Sequence, residues 1–355
     1  MGGYLAQAFS AADADVRIVD ALDSKAHKLW PVLRSIRCTR KSHWRARWEN
    51  TLYSSWAWRR NSRRNVRLLA RINNPAARLL QVGKEYFPHA PDGNANYDLF
   101  ILYTMKLSLA DGVTPWLPPP RDQSSFLDLE TRLYRNARYV FTGGAYVKDH
   151  LAADYGVRPE CIHAVGGGAH PDYVRNAVEE VATLWSHQMV FVGWDFGMKG
   201  GPDLLTAFRL ARAERPELRL VVVGPDAAQQ VDEPGVTWLG SVRARRELIR
   251  IYRESDLFVM PSLRDSFGFV FLEAMTQGVP CIGTDLNAMP EIIQDGVTGY
   301  IVPPRDPEGL AAAILRFYKD PENRYRMGMA SRQHVLDSYT WSSVAQRMWP
   351  YVFGR

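Results

Sequence analysis

Residues 261–304 have the sequence PSLRDSFGFVFLEAMTQGVPCIGTDLNAMPEIIQDGVTGYIVPP, and this stretch decides the fold. An apolar run ends at Met260, a polar loop follows, and a helix is predicted to begin near Gly268. The first N–H groups of a helix have no partner within it, so this helix start predicts an anion site. Because Gly268 has no side chain, a diphosphate could approach the backbone closely there.

Two acidic residues flank the predicted anion site. Asp265 precedes the helix, and Glu273 lies more than one turn inside it. Each carboxylate can accept hydrogen bonds from two hydroxyl groups, so the pair suits a ligand with hydroxyls on both sides of a diphosphate. A nucleotide sugar is such a ligand. The alternatives are that Asp265 only caps the helix and that Glu273 is a surface residue or a cap partner.

Strands and helices alternate regularly on both sides of this stretch. Apolar runs that predict strands lie at 189–192, 218–223, 237–239, 257–260, 280–284 and 300–302. Helices are predicted over 202–214, 243–255, 269–277, 289–294 and 307–318. Continuous apolar strands between helices are typical of a parallel sheet covered on both faces. The pattern therefore predicts a doubly wound α/β domain.

The N-terminal half has the same pattern, with less regular spacing. Strands are predicted at 16–19, 79–82, 99–103, 139–142 and 161–165, and helices over 4–11, 126–136 and 146–155. The glycine run at 166–168 predicts a hinge, and an amphipathic helix is predicted over 341–353. We therefore expect an N-terminal domain over 1–170, a C-terminal domain over 187–338 and a final helix over 339–355. A doubly wound domain usually opens with a strand, whereas Gly2 and Gly3 come at once, so either the start lies upstream or that strand is missing.

The acidic pair also carries a family resemblance. The donor-site signature of glycosyltransferase family 4, a retaining family with the GT-B fold, resembles two segments of this chain. They are Asp265-Ser266-Phe267-Gly268 and, further along the same stretch, Glu273-Ala274-Met275. The resemblance is strongest over 189–318. It implies that Asp265 contacts the transferred sugar, that Glu273 contacts the ribose, and that Ser266, Phe267, Gly268 and Phe269 line the donor site. The family has glutamate where this chain has Asp265, so the reach here is one methylene shorter.

A second match lies at 191–205, FVGWDFGMKGGPDLL, which resembles the strand, glycine, Lys-Gly turn and helix of the same family. It places Gly193, Lys199 and Gly200 in the donor site, where Lys199 would neutralise the diphosphate as a point charge. The alternative is an ordinary turn. Val242 lies in a loop, 240–243, that resembles the one bordering the nucleobase. Many members carry an arginine in the lysine turn, and here Arg264 and Arg243 are the nearest candidates for that second cation.

The resemblance implies a GT-B protein with two Rossmann-like domains facing a cleft and a C-terminal helix that returns to the N-terminal domain. The implied activity is retaining transfer of a hexosyl-type sugar from a nucleotide-diphosphate sugar to the hydroxyl of a cell-envelope polysaccharide or lipid-linked glycan. Asp265, Glu273 and Lys199 are the candidate catalytic residues. No cofactor or metal is expected, since no His, Cys or Asp cluster has metal-ligand spacing. A non-catalytic GT-B-fold binding protein and a GT-B nucleotide-sugar epimerase are the alternatives.

The N-terminal domain lacks one feature that many relatives have, a histidine near the reacting sugar. The segment 113–123 contains none, and we interpret His89 and His170 as structural residues.

The net charge of +6 is unevenly distributed, because residues 34–71 are strongly basic, with arginines and four tryptophans interleaved and Glu49 as the only acid. Such a segment suits an anionic membrane surface, or it forms a solvated helical face with its tryptophans turned inward. No nucleic acid partner is expected. The three cysteines are far apart in the sequence, and residues 1–16 lack a basic leader, so we expect a cytoplasmic protein, peripheral at the inner membrane face if the membrane interpretation holds.

Overall fold

The computed structural model of the chain describes residues 1–12, 79–83, 97–110, 120–179 and 186–354. The chain divides into two compact units, Met1–Val165 with Arg347–Arg355, and Gly166–Gln346. The predicted strand at 16–19, the basic segment at 34–71 and His89 lie outside the described residues. Each unit is built on a parallel sheet, which confirms the predicted pair of Rossmann-like domains.

The C-terminal unit contains a six-stranded, all-parallel sheet. Its strands are β5 (Gln188–Val192), β6 (Arg219–Val223), β7 (Val236–Gly240), β8 (Leu257–Val259), β9 (Cys281–Thr284) and β10 (Gly299–Val302), in the order β10-β9-β8-β5-β6-β7. The central strands β8 and β9 are buried along their whole length, as expected for a parallel sheet with both faces covered. All six strands fall where the sequence pattern predicted them.

Helices connect these strands. They are α5 (Pro171–Arg175), α6 (Gly201–Glu214), α7 (Arg245–Arg253), α8 (Phe269–Thr276), α9 (Met289–Ile292), α10 (Pro307–Lys319) and α11 (Pro321–Ser338). Asp306 caps α10 by accepting the N–H of Gly309, and Asp320 caps α11 by accepting two N–H groups. Both helices have proline as their first residue.

The direction of winding reverses at β5. The chain runs from β5 to β6 and β7 on one side, and then returns to β8 on the other side of β5. The loops that follow the adjacent strands β5 and β8 therefore start side by side at the carboxyl ends of these strands and lead away in opposite directions. In open α/β sheets, ligands bind at such a switch point.

The N-terminal unit has a four-stranded parallel sheet within the described residues. Its strands are β1 (Leu79–Val82), β2 (Tyr97–Ile101), β3 (Tyr139–Thr142) and β4 (Ile162–Ala164), in sequential order. Its helices are α1 (Gly2–Ala11), α2 (Met105–Ala110), α3 (Pro120–Asn136) and α4 (Ala145–Tyr155). The helices α3 and α4 pack apolar residues such as Leu133 and Leu151 into the core beside β2 and β3.

Strand β2 begins two residues earlier than predicted. Its polar residue Asp98 is buried and accepts a hydrogen bond of 3.0 Å from Nε of Arg138, at the start of the next strand. The hydroxyl of Tyr97 donates to the carbonyl of Leu133. Polar groups that are satisfied in this way can lie in a buried strand.

The last helix, α12 (Trp341–Phe353), begins in the C-terminal unit, and its residues from Arg347 onward belong to the N-terminal unit. There Tyr351 stacks on His163 of β4 at 3.6 Å between ring centroids, and Trp349 lies 6.1 Å from Phe9 of α1. The predicted C-terminal crossover helix is thus confirmed. Within the described residues, none of the helices is both long enough and apolar enough to span a bilayer.

Candidate functional site

The loops after β5 and β8 meet at the switch point of the C-terminal sheet. Gly200, at φ +74°, is the N-cap residue of α6, and a Cβ on it would lie 1.9 Å from the carbonyl oxygen of Pro261, so only glycine fits this approach. The N–H of Leu263 donates to the carbonyl of Met198 at 3.1 Å. A Cβ on Gly193 would lie 3.0 Å from Cγ of Lys199, so the glycine leaves room for the lysine stem.

Lys199 joins the two loops through its ammonium group. Its Nζ donates to the carbonyl of Arg264 at 2.9 Å and lies 2.7 Å from Oδ2 of Asp265. Both side chains of the ion pair are 14% exposed, so the pair faces solvent on one side only. An ammonium group has three donors, and among the described residues the third has no protein acceptor.

The second oxygen of Asp265 closes the loop before α8. Its Oδ1 accepts the N–H of Phe267 at 3.2 Å and of Gly268 at 2.9 Å. We expected the amides at this helix start to be free for an anion, and for Phe267 and Gly268 this expectation is wrong, because Asp265 accepts both N–H groups. A short aspartate side chain reaches the amides two and three residues ahead of it, as in a helix cap, and it satisfies both.

The start of α8 nevertheless keeps unpaired donors. Among the described residues, the N–H groups of Phe269 and Val270 have no protein acceptor. Gly268 lies at φ +88°, a conformation that favours glycine, and turns the chain into the helix. The side chain of Phe267 is fully buried and its amide is bonded to Asp265, so Phe267 supports the loop and does not contact a ligand through either group. Ser266 and Phe269 are partly exposed.

Glu273 lies on α8 between two tyrosines. The hydroxyl of Tyr252, on α7, donates to Oε2 of Glu273 at 3.4 Å, and the hydroxyl of Tyr173, on α5, lies close enough to the same carboxylate to act on its pKa. Burial raises the pKa of Glu273 to about 7, while the two hydroxyls and the positive charge of Arg245 act against this rise. The carboxylate is thus partly exposed, held by the Tyr252 hydroxyl with the Tyr173 hydroxyl close to it, and near its pKa at neutral pH.

Three supporting residues were missed by the sequence analysis. Oδ1 of Asn287, in the loop after β9, accepts the N–H of Asp265 at 3.3 Å, and Asn287 itself has φ +55°. Asparagine tolerates this left-handed conformation better than most residues, and its position after a buried strand was the available signal. Tyr173 and Tyr252 are almost fully buried, and their neighbours in the sequence gave no sign that their hydroxyls lie close to Glu273.

Other predicted residues lie apart from this cluster or have structural roles. Val242 follows the edge strand β7, two strands from β5, and is partly exposed. Arg243, in the same loop, is exposed, whereas Arg264 is partly buried and offers its carbonyl to Lys199. His170 caps α5, since its Nδ1 accepts the N–H of Asp172 at 3.1 Å, in agreement with a structural role.

The switch point thus combines two carboxylates with an ammonium group and two helix-start amides, and within the described residues both amides and one donor of the ammonium group lack a protein acceptor. This set can bind an anionic group whose neighbours carry hydroxyls. The two Rossmann-like units and the helix shared between them have the GT-B fold. Residues 185–334 match the family described as glycosyl transferases group 1.

Curated relatives and solved structures are also similar to this chain. The D-inositol 3-phosphate glycosyltransferase of Corynebacterium diphtheriae is 26% identical over 242 residues, which are 62% of this chain and 56% of the relative. The match spans about half the length of such relatives. A sucrose-phosphate synthase structure from Thermosynechococcus elongatus has a TM-score of 0.62 at 17% identity, covering 97% of this chain and 90% of that one. The Anabaena protein HepE, in complex with UDP and glucose, has a TM-score of 0.54 at 17% identity, covering 73% and 78%.

Proposed function

We propose that this chain is a glycosyltransferase that moves a hexosyl-type sugar from a nucleotide-diphosphate sugar to an acceptor hydroxyl. The observation that carries the proposal is the Lys199–Asp265 pair, which lies across the switch point beside the unpaired amides of Phe269 and Val270. Residues 187–338 would bind the donor, residues 1–170 the acceptor, and residues 339–355 would link the two domains. HepE, a protein of the same fold, binds UDP and glucose, which supports a uridine nucleotide as the first donor to test.

The charges of the site suit a departing diphosphate. The third donor of Lys199 and the two free amides are fixed before the ligand arrives, so they stabilise developing negative charge without further reorganisation. Asp265 has about four acceptor sites, of which three are taken by Lys199, Phe267 and Gly268. One remains for a hydroxyl of the transferred sugar. Glu273, which lies on the helix α8 that begins with the two free amides, would accept hydrogen bonds from the hydroxyls of the ribose.

The family resemblance supports retention of configuration, with a leaving phosphate oxygen taking the proton of the acceptor hydroxyl. This route needs no side-chain base. It also needs no metal, because Lys199 and the amides supply the positive potential that a metal ion otherwise provides. A chelator such as EDTA should therefore leave the transfer rate unchanged, whereas a rate that falls and returns with added Mg²⁺ or Mn²⁺ would contradict this part of the proposal.

The acceptor we propose is a cell-envelope polysaccharide or lipid-linked glycan at the cytoplasmic face of the membrane. Residues 34–71 support it because their arginines and tryptophans suit an anionic lipid surface. Changing Arg59, Arg60, Arg63 and Arg64 to serine should sharply reduce sedimentation with phosphatidylglycerol vesicles. Equal sedimentation of the variant and the parent would leave the solvated-face interpretation.

The proposed function is tested by a thermal-shift screen with UDP, GDP, ADP and their glucose, N-acetylglucosamine and mannose conjugates. A ligand at a hundred times its dissociation constant adds about 2.7 kcal/mol of stability. The best donor is then incubated with and without acceptor mixtures, and Glu273→Ala should abolish sugar release. Binding without any turnover would indicate a non-catalytic GT-B protein. Conversion of the donor sugar without an acceptor would indicate an epimerase.

A further inference from the structure

Two buried phenols converge on the carboxylate of Glu273 from different helices. Tyr173 is 2% exposed on α5, and Tyr252 is fully buried on α7. Their rings contact each other edge to face at 6.2 Å between centroids. The hydroxyl of Tyr252 hydrogen-bonds Glu273 and the hydroxyl of Tyr173 lies close to it, so a carboxylate that is only partly exposed has a phenol beside it from each of two helices.

The segment that carries Tyr173 is fixed to the rest of the C-terminal unit. The carbonyl of Tyr173 accepts a hydrogen bond from Gln277 at 3.4 Å, and the carbonyl of Asn176 accepts one from Arg253 at 2.6 Å. Asp172 lies 3.6 Å from the guanidinium of Arg245, at the start of α7. These contacts tie α5 to α7 and to the end of α8, so the position of the Tyr173 hydroxyl is set by the fold.

Few charged groups act on Glu273. Among the elements packed against α8, α5 contributes Tyr173, and α7 contributes Tyr252 and the positive charge of Arg245. Strand β9 contributes the buried thiol of Cys281, which lies beside Tyr252. Within the described part of α11, no charged side chain acts on Glu273. Among the described residues, the hydroxyl of Tyr252 is therefore the direct donor to this carboxylate, and the hydroxyl of Tyr173 is the second donor group close to it.

We propose that Tyr173 and Tyr252 are positioning residues that hold the Glu273 carboxylate ionised and oriented to receive ribose hydroxyls. This inference rests on the proposed function, which makes Glu273 the ribose acceptor. Neither tyrosine is required to touch the nucleotide itself. Their hydroxyls stabilise the charged form of a carboxylate that burial would otherwise drive toward the neutral form.

Removing the hydroxyls has a consequence that depends on pH. Burial already raises the pKa of Glu273 to about 7, and loss of a donor raises it further. A hydrogen bond to a charged group corresponds to about one pH unit or somewhat more. With a shift of one unit, the ionised fraction at pH 7 falls from about one half to about one tenth, a loss of roughly fivefold in ribose-dependent affinity. At pH 9 both proteins are almost fully ionised, so the affinities converge.

The experiment compares the parent protein with Tyr173→Phe and Tyr252→Phe by isothermal titration calorimetry from pH 6 to 9. The probe is whichever of UDP, GDP and ADP binds the parent best, together with its 2′,3′-dideoxy form. For the ribonucleotide, each Phe variant should bind about fivefold more weakly at pH 7 and nearly equally at pH 9. For the dideoxy nucleotide, which lacks the hydroxyls that Glu273 would bind, the variants and the parent should agree at every pH.

Tyr134→Phe is the matched control. It also removes a buried tyrosine hydroxyl that donates to a buried carboxylate, Glu130, at 2.8 Å, but in the N-terminal unit. It should leave both pH profiles unchanged. Equal weakening toward both nucleotides, or a loss that persists at pH 9, would mean that the tyrosines act only on stability and would overturn the inference. If none of the three nucleotides binds the parent protein, the proposed function and this inference are both wrong. If a nucleotide binds the parent but the variants do not show the expected pH dependence, only this inference is wrong.

Discussion

Replacement of Lys199 by methionine tests the centre of the site, because it removes the ammonium group while keeping an unbranched side chain. Nζ of Lys199 lies 2.7 Å from Oδ2 of Asp265, and both side chains are 14% exposed. Breaking a fully buried ion pair costs about 3–5 kcal/mol. Here water reaches one side of the pair, and Asp265 keeps two backbone donors, so we expect a loss of about 1–3 kcal/mol in the free energy of unfolding.

The effect of Lys199→Met on ligand binding is separate from its effect on stability. A charge-assisted hydrogen bond to a phosphate oxygen is worth about 1.5–3 kcal/mol, so the dissociation constant for UDP should rise by roughly 10- to 100-fold. Isothermal titration calorimetry measures the affinity, and urea denaturation of the same samples measures the stability. Lys319→Met, at the exposed end of α10, is the control and should change neither quantity.

A double variant distinguishes the two effects of Lys199. Adding Asp265→Asn to Lys199→Met removes the uncompensated charge, while the amide oxygen it introduces can still accept the N–H groups of Phe267 and Gly268. Most of the lost stability should return, but the affinity for UDP should not. If Lys199→Met binds UDP as tightly as the parent, Lys199 does not contact the diphosphate and the donor site has been placed incorrectly.

Three further predictions concern stability. Gly200→Ala should destabilise the C-terminal unit by more than 2 kcal/mol in urea denaturation, because its Cβ would lie 1.9 Å from a carbonyl oxygen, whereas Gly197→Ala in the same loop, whose Cβ meets only an oxygen at 3.7 Å, should change stability far less. Asp256→Asn should cost about 3–5 kcal/mol, because it leaves the guanidinium of Arg324 buried without its anion at 3.2 Å, and a smaller loss by urea denaturation would argue against a tight pair. Burial raises the pKa of Glu273 from 4.5 to about 7, so its contribution to stability is complete below pH 4.5 and is lost as the pH rises through 7. Between pH 4 and 8 this loss amounts to up to about 3 kcal/mol in the free energy of unfolding, and Glu273→Gln should abolish it. A variant that keeps the same pH dependence would show that another group is responsible.

The fold of the C-terminal unit could be predicted because its strands are continuous apolar runs with glycine turns between them. Helix α11, Pro321–Ser338, was missed although the sequence Asp320-Pro321-Glu322 is a good capping signal. Its buried face contains the polar residues Arg324 and Ser331, so its apolar residues do not recur at regular helical spacing. Arg324 pairs with Asp256, a partner 68 positions earlier in the sequence, so no local pattern could have marked it as buried.

The candidate site was predictable in its residues but only partly in its contacts. The sequence identified Lys199, Asp265 and Glu273 through their spacing and their neighbours. It could not show that Tyr173 and Tyr252 meet Glu273, because the three residues lie on three helices that only the tertiary fold brings together. The N-terminal unit was harder to predict, since the second residue of its strand β2 is a buried aspartate whose partner, Arg138, is 40 residues away.

The aspartate at position 265 has a physical consequence for the donor site. Its short side chain reaches the amides of Phe267 and Gly268 and pairs with Lys199, so three of its acceptor sites are filled by the protein. A glutamate has one more rotatable bond and does not favour this cap, because its carboxylate extends beyond the amides that immediately follow it. Aspartate therefore fixes the loop and the ammonium group before a ligand arrives, at the expense of reach toward the sugar. In this chain, the binding of the diphosphate would then depend on Lys199 and the amides of Phe269 and Val270, and recognition of the nucleoside on Glu273.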